Sequence, residues 1–316
     1  MDFLFRDAKG GRLCPQGSVV CIGAFDGLHL GHQALLRHAV SRARALGLPT
    51  VALAFEPLPR EFFAPDDPPP RLMLPRGKVI GMREAGIDGI GLLRFSHEMV
   101  AMSAADFIQK VLVDRLGARE VWVGPGFRFG HKREGDLATL QLEGTRHDFT
   151  AQAIEPFTLN GERVSSSVIR AALSDGDFMR AETLLGRPYS ICGRVVRGKQ
   201  LGRTLGFPTA NLRFARKPAL QGIYATRVHG IGAHPHDSVS SFGTRPTVDG
   251  IEPLLEAHVF DFDGDLYGQH IDVEFVAKIR DEEKFDSLDA LTARMRQDAE
   301  IARTLLSTPR TANARA

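Results

Sequence analysis

Two histidines, His29 and His32, stand where a short apolar run at residues 19–22 passes through a Gly- and Asp-rich turn into a helical pattern. Side chains three residues apart share one face of a helix. The unpaired amides and positive dipole end of a first helical turn favour an anion, and Gly31 lets a ligand approach the backbone closely. The pattern therefore predicts a site for nucleotide phosphates, with a chance pair of surface histidines as the alternative.

The segment at residues 124–135 joins glycines, aromatic rings and several cations. Phe127 and Phe129 could hold a flat ring between their faces, and Arg128 could pair with an anion beside it. The alternative is a basic surface loop whose phenylalanines are tucked into the core. The sequence leaves both interpretations open.

A serine cluster opens a further predicted helix at residues 163–170. Ser165 and Ser166 are typical of helix caps. Their hydroxyls and the first-turn amides, with Arg163 and Arg170 alongside, would also hold a triphosphate. The two interpretations are compatible.

In the second half of the chain, residues 202–212 read Gly-Arg-Thr-Leu-Gly-Phe-Pro-Thr-Ala-Asn-Leu. Thr209 and Asn211 supply neutral oxygens, which suit Mg²⁺ together with water and phosphate. Glu256 lies in an apolar run of strand length at residues 255–260. Taken singly, these features could be a proline turn and an ordinary strand carboxylate.

The elements that must position these residues differ between the two parts of the chain. Strands alternating with helices in the first part predict an α/β domain with a parallel sheet and ligands at the carboxyl ends of its strands. From residue 189 onward, strand-length runs separated by glycine-rich turns predict an antiparallel β-barrel. A terminal helix capped by Ser287 follows, with the inward-facing residues Leu288, Leu291, Met295, Ile301 and Leu305. We place the domains at 1–186 and 187–316, because Gly186 ends a predicted helix there.

The composition is that of an ordinary globular protein, with 316 residues, 43% apolar and 25% charged, and a formal net charge of +2. This balance gives no electrostatic reason to expect nucleic acid or a membrane as a partner. There is no signal-peptide core or run of membrane-spanning length, and Cys14, Cys21 and Cys192 lack metal or paired spacing. We expect a cytoplasmic protein with buried reduced thiols and small-molecule ligands, and we leave a homo-oligomer open.

The first motif, Gly-Ala-Phe-Asp-Gly-Leu-His-Leu-Gly-His, resembles that of the nucleotidylyltransferase superfamily, whose fold is Rossmann-like. Followed by Phe-Arg-Phe-Gly and Val-Ser-Ser-Ser-Val-Ile-Arg, it resembles the FMN adenylyltransferase module of the prokaryotic bifunctional riboflavin kinase/FAD synthetase family. Gly-Phe-Pro-Thr-Ala-Asn resembles the flavokinase signature. The resemblance covers nearly the whole chain except both ends. It implies ATP-dependent phosphorylation of riboflavin to FMN in the second domain and adenylylation of FMN to FAD in the first, both with Mg²⁺.

The resemblance also assigns residues. It implies that Glu256 accepts the proton of the ribityl 5′-hydroxyl, with Thr209 and Asn211 as Mg²⁺ ligands. The catalytic residues implied for adenylyl transfer are His29, His32 and Arg170. The residues implied to bind nucleotide or flavin are Gly23, Phe25, Asp26, Gly31, Phe127, Arg128, Arg163, Ser165, Ser166, Gly202, Arg203, Gly206, Phe207, Pro208 and Tyr224.

Three positions depart from the family pattern. Gly126 replaces a usual Asp or Asn, Ser241 a usual Asn, and Lys199 a usual acidic residue. Gly126 motivates one alternative, a monofunctional flavokinase whose first domain binds nucleotide but transfers weakly. A flavin-binding regulator without turnover and an adenylyltransferase for another phosphorylated small molecule are further alternatives. The order of the motifs favours the two-site enzyme.

Overall fold

The computed structural model of the chain describes residues 2–198, 201–214, 219–247 and 250–307, with the backbone alone at 201, 203, 244–247 and 250–252. Lys199 and the tail from Thr308 lie outside these residues. The chain divides into two compact units, of which the first contains the residues up to Pro69 and those of Pro75–Ser166. The second contains Pro70–Leu74 and the residues from Ser167 onward. The functional limits at 1–186 and 187–316 stay a prediction.

The first unit is built on a six-stranded parallel sheet with the order β1-β4-β3-β2-β5-β6, as the alternating pattern predicted. The strands are β1 Phe3–Phe5, β2 Ser18–Ile22, β3 Thr50–Glu56, β4 Gly89–Arg94, β5 Ala118–Val123 and β6 Thr150–Ala153, and a separate hairpin pairs β7 Thr158–Leu159 with β8 Glu162–Arg163. All five residues of β2 are buried, as expected for a central strand covered on both faces. Because β3, β2 and β5 are parallel neighbours, the segments that follow them start at one edge of the sheet.

The helices connected to this sheet are α1 Leu30–Leu46, α2 Pro59–Phe63, α3 Pro75–Glu84, α4 His97–Ala101, α5 Ala104–Phe107, a π-helix Ile108–Arg115, a 3₁₀-helix His131–Arg133 and α6 Leu137–His147. Ser103 caps α5, because its hydroxyl accepts the Asp106 N–H at 3.0 Å, and the helix that follows α5 is a π-helix. Its closing hydrogen bond runs from the Leu116 N–H to the Val111 carbonyl, five residues back. Gly47 ends α1 at φ +63°, a left-handed conformation that glycine adopts without strain.

Two helices follow the serine cluster, α7 Ser166–Ser174 and α8 Phe178–Leu185. Helix α8, which the sequence placed in the first domain, packs within the second unit. The Phe178 ring contacts Tyr224 and Phe275 at centroid distances of 5.8 and 6.2 Å. The apolar side of α8 therefore contributes to the core of the second unit.

The second unit is a nearly closed antiparallel barrel, which confirms the predicted architecture. Its strands are β9 Ser190–Arg194, β10 Ala210–Arg213, β11 Gly222–His229, β12 His236–Thr247, β13 Gly250–Val259 and β14 His270–Arg280, in the order β10-β13-β12-β11-β14-β9. A bridge between Val196 and Asn211 brings the chain after β9 back to β10. A short helix, α9 Leu201–Thr204, precedes β10, a strand that the sequence analysis missed.

The terminal helix α10, Leu288–Ser307, is capped by the Ser287 hydroxyl, which accepts the Ala290 N–H at 3.1 Å. Its Ala302 and Leu306 pack on the outer face of the barrel. The predicted inward orientation is wrong for Leu288 and Leu305, which are 57% and 38% exposed. Cys14 and Cys21 are buried, and Cys192 is partly exposed. None of the helices in the described ranges combines the length and apolarity needed to cross a bilayer.

Candidate active sites

The imidazole pair lies beyond the carboxyl end of β2, where α1 begins. The rings of His29 and His32 stack with centroids 3.7 Å apart and planes inclined by 18°. His29 caps α1, because its Nδ1 accepts the backbone N–H of His32 at 3.3 Å. An Nδ1 that accepts carries no proton, so neutral His29 holds its proton on Nε2. The cap thus selects the tautomer that can donate a hydrogen bond from Nε2.

Both imidazoles are neutral at pH 7. Burial, aided by the charge of Arg163, lowers the pKa of His29 to about 4. Burial holds the pKa of His32 well below its usual value, and the charges of His29 and Lys78 act in the same direction. Within the described residues, the buried Nδ1 of His32 has no hydrogen-bond partner. The pair can therefore donate to or accept from a ligand, but positive charge must come from other residues.

A buried lysine supplies one such charge beneath the turn. Lys78 is fully buried on α3, and its Nζ donates to the Ala24 carbonyl at 2.9 Å. Gly31 lies close to the His29 ring: a Cβ there would be 3.2 Å from Cε1 of His29, so the ring would have to shift by a few tenths of an ångström. The sequence analysis predicted the glycine but missed Lys78, which is 54 residues from Ala24 in the sequence.

The predicted contacts Phe25 and Asp26 are buried, at 0% and 1% exposure, whereas Gly23 is partly exposed. The Phe25 ring packs against the His32 ring at 5.3 Å. Phe25 therefore supports the imidazole from the protein side. Its direct contact with a ligand stays a prediction.

The serine cluster is joined to this turn. The Ser166 hydroxyl donates to the Asp26 carbonyl at 2.9 Å, while Ser165 is half-buried and Arg163 is exposed on β8. Arg170 belongs to the second unit, where its Nε donates to the Pro70 carbonyl at 2.6 Å. The first unit thus brings the histidines, Arg163 and Ser166 together, and the role of Arg170 stays a prediction.

The loop after β5 fits both sequence interpretations in part. Phe129 is buried in the core, while Phe127 is half-buried and stacks on it at 5.5 Å. Arg128 forms an exposed ion pair with Asp136 at 3.0 Å. Gly126 has φ +73°, and no atom lies within 4 Å of the place of its missing Cβ. Asn and Asp also tolerate this left-handed backbone, so Gly126 preserves the turn that those residues would adopt.

The second unit contains a cavity of about 310 Å³ between the barrel, α10 and the segment after β14. Its wall includes Thr209 and Glu256 together, as the flavokinase prediction requires. The other lining residues include Gly202, Phe207, Ser241, His258, Arg280, Glu282 and Phe285. The residues of this wall come from positions spread between 202 and 298 of the chain.

Strand register places the predicted phosphoryl-transfer residues in one row. Asn211 on β10 is opposite Glu256 on β13, which is opposite Ser241 on β12. Directly opposed residues of antiparallel strands share a face. Asn211 Nδ2 donates to the carbonyl of Thr209 at 3.1 Å and to its Oγ1 at 3.4 Å. The Oδ1 of Asn211 is the remaining acceptor of that amide, so it and Thr209 Oγ1 are suitable oxygens for a hard cation.

Three further predicted binding residues occupy other surroundings. Gly206 is exposed at φ +84°, and Pro208 is also exposed. Tyr224 is 1% exposed in the barrel core, where its hydroxyl donates to the Gln221 carbonyl at 2.6 Å. Tyr224 therefore supports the barrel from within and lies outside the cavity wall. The side chain of Arg203 lies outside the described part of the chain.

The sequence analysis missed the ion pair that holds the cavity wall. Arg280 Nε and Nη2 donate to the Asp298 carboxylate at 2.9 and 2.7 Å, and Asp298 is 3% exposed on α10. The Arg280 guanidinium also lies 5.8 Å from the Phe285 ring centre. This pair joins the end of β14 to α10 beside the cavity. The available signal in the sequence was Asp298 at helical spacing with the apolar residues Leu291, Met295 and Ala302.

The low pKa of His29 predicts a measurable pH effect. A histidine whose folded pKa is lowered binds fewer protons folded than unfolded, so the free energy of unfolding falls as pH decreases from 6.5 to about 4. His29→Asn keeps a cap oxygen and removes the titrating group. Denaturant unfolding at several pH values should show a shallower decline for this variant. Equal declines would contradict the assignment.

Two family matches divide the chain in the same way as the two sites. The family described as FAD synthetase matches residues 12–168, and the family described as riboflavin kinase matches residues 185–306. A Haemophilus influenzae protein named bifunctional riboflavin kinase/FMN adenylyltransferase is 42% identical over 96% of this chain and 99% of its own length. An Escherichia coli protein of the same name is 44% identical over 91% of this chain and 92% of its own.

A solved structure described as a macrolide-efflux protein from Streptococcus pneumoniae also has this architecture. It matches with a TM-score of 0.72 and 31% identity, covering 92% of this chain and 94% of that one. The likeness extends over both units. The description as an efflux protein applies to that structure.

A parallel α/β unit with a capped imidazole pair, followed by a barrel whose cavity combines a carboxylate with neutral oxygens, defines a two-module transferase of phosphorus-containing groups. The similarity to the relatives identifies the family of transferases. The chain belongs to the bifunctional riboflavin kinase/FMN adenylyltransferase family.

Proposed function

We propose that this chain phosphorylates riboflavin with ATP to give FMN, and then transfers the adenylyl group of a second ATP to FMN to give FAD and pyrophosphate. The observation that carries the proposal is the presence of both sites in one chain. Glu256 and Thr209 line one cavity, and His29 and His32 stack at a helix N-terminus. Relatives with the bifunctional name match across nearly the whole chain.

In the kinase step, the ribityl 5′-hydroxyl attacks the γ-phosphorus of ATP, its proton passes to Glu256, and ADP leaves. Thr209 Oγ1 and Asn211 Oδ1 would hold Mg²⁺, which takes oxygen ligands. When bound, Mg²⁺ neutralises charge on the ATP phosphates. Glu256 must be ionised to accept the proton, so its carboxylate is the base of the step.

In the adenylylation step, an oxygen of the FMN phosphate attacks the α-phosphorus of ATP, and the bond to pyrophosphate breaks. No proton has to move between the reacting atoms, so positioning and charge stabilisation carry the acceleration. We propose that neutral His29 donates from Nε2 and that Arg163 and Lys78 supply positive charge. Ser165, Ser166 and Arg170 are proposed phosphate contacts.

A single incubation tests the two activities. Purified protein with riboflavin, ATP and Mg²⁺ should form FMN first and FAD second, with one ADP released for each FMN formed and one pyrophosphate for each FAD. Product separation by chromatography measures all four. FMN that accumulates without FAD would support the monofunctional alternative, and the same outcome with FMN supplied directly would establish it. The absence of riboflavin-dependent ATP consumption would favour a regulator without turnover.

We also propose a cytoplasmic location, supported by cysteines that lack the spacing of disulfide pairs, and no nucleic-acid partner, supported by the net charge of +2. Whether the chain forms a homo-oligomer can be decided by sedimentation or light scattering. An electrophoretic shift of nucleic acid at physiological salt would contradict the second proposal.

A further inference from the structure

His258 lies two residues after Glu256 on β13, and both line the cavity of the second unit. Residues two apart on a strand project from the same face. The imidazole is thus placed beside the proposed base, although no role in the motif was assigned to it.

The His258 ring is held by one hydrogen bond and two aromatic contacts. Its Nδ1 lies 2.8 Å from the carbonyl oxygen of Pro208. A carbonyl can only accept, so Nδ1 carries the proton and donates. The ring meets Phe207 edge-on at 5.1 Å and Phe260 at 5.7 Å. The donor atom therefore has a fixed direction.

Pro208 connects Phe207 to Thr209, the proposed Mg²⁺ ligand. Proline has no N–H, so the backbone of this segment has one hydrogen-bond donor fewer than an ordinary loop. Two hydrogen bonds hold the segment to nearby residues. The Phe207 N–H donates to the Gly202 carbonyl at 2.7 Å, and Asn211 Nδ2 donates to the Thr209 carbonyl. The bond from His258 comes from 50 residues away, on the strand that carries Glu256.

We propose that His258 is a positioning residue of the phosphoryl-transfer site, whose Nδ1–H holds the Pro208 carbonyl and so sets Thr209 relative to Glu256. The inference rests on the proposed kinase function of this cavity. His258 acts through the loop and does not itself touch the reacting atoms. The loop holds the ATP phosphates through Thr209, so its displacement weakens Mg·ATP binding.

Three substitutions separate the two nitrogens of the ring. His258→Asn places an amide near the position of Nδ1, His258→Gln places one near Nε2, and His258→Leu has neither. We expect His258→Leu and His258→Gln to raise the KM for Mg·ATP in FMN formation by roughly tenfold to a hundredfold. His258→Asn should recover most of the loss, and the KM for riboflavin should change little in all three.

FMN-to-FAD conversion in the same preparations provides the internal control, since it uses the other site. Wild-type KM in His258→Leu, or equal losses in the Asn and Gln variants, would overturn the inference. Recovery in His258→Gln with no recovery in His258→Asn would instead make Nε2 the working atom, which also overturns it. If the Leu variant fails to fold, the Asn and Gln pair still decides. Wild-type protein that makes no FMN would refute the proposed function, an outcome distinct from these.

Discussion

Glu256→Gln is expected to slow FMN formation from riboflavin by about 100- to 10,000-fold, the range for loss of a general base. The replacement keeps the size of the side chain and removes the basic oxygen. Glu256 lines the cavity with Thr209 and is opposite Asn211 in the sheet, so the loss should fall on kcat. Initial rates at saturating riboflavin and Mg·ATP measure it.

The control for Glu256→Gln is a second glutamate of the same cavity wall. Glu282 accepts a hydrogen bond from Gln221 at 2.9 Å and is outside the row that contains Asn211. Glu282→Gln should keep FMN formation within about tenfold of wild type, because it removes charge without removing the base. FMN-to-FAD conversion should proceed normally in both variants. Equal loss of both activities in the Glu256 variant would refute the separation of the sites.

The second large effect is expected at the imidazole pair. His29→Ala should lower FMN-to-FAD conversion by about 100- to 1,000-fold, the cost of losing one donor to developing charge. The FMN-forming activity should persist. Because His29 also caps α1, the alanine variant should lose about 1 kcal/mol of stability as well.

His29→Asn separates the cap from the chemistry. Asparagine keeps an oxygen for the His32 N–H but is too short to reach the position of Nε2. We expect it to recover the stability that alanine loses and to remain as slow as alanine in adenylylation. His32→Ala should be similarly slow. A His29→Asn variant that made FAD at the wild-type rate would exclude His29 as a donor in the reaction.

The placement of the two imidazoles at the start of α1 was predictable because its determinants are local. A cap, a glycine and two side chains three residues apart interact through neighbours in the chain, so their arrangement follows from helix geometry. The Ser287 cap of α10 was predictable for the same reason. Prediction was weaker for Leu288 and Leu305, since helical spacing alone does not say which side of α10 meets the barrel.

Several features of the sites depend on residues distant in sequence. Lys78 reaches a carbonyl 54 residues away, and His258 one 50 residues away. Tyr224 follows a strand pattern that fits either face, and only the packed barrel places its ring in the core. The cavity itself needs α10 against the strands.

The sequence by itself determined the two-module plan, the helix caps and the residue types of both sites. Those properties reside in short segments, where hydrogen bonds and periodicity link near neighbours. The tertiary structure decided the neutrality of the histidines, the row from Asn211 to Ser241 and the wall around Glu256. Burial and strand register arise only when distant segments pack together. Burial changes the free energy of ionising a side chain, and strand register decides which side chains become neighbours across the sheet.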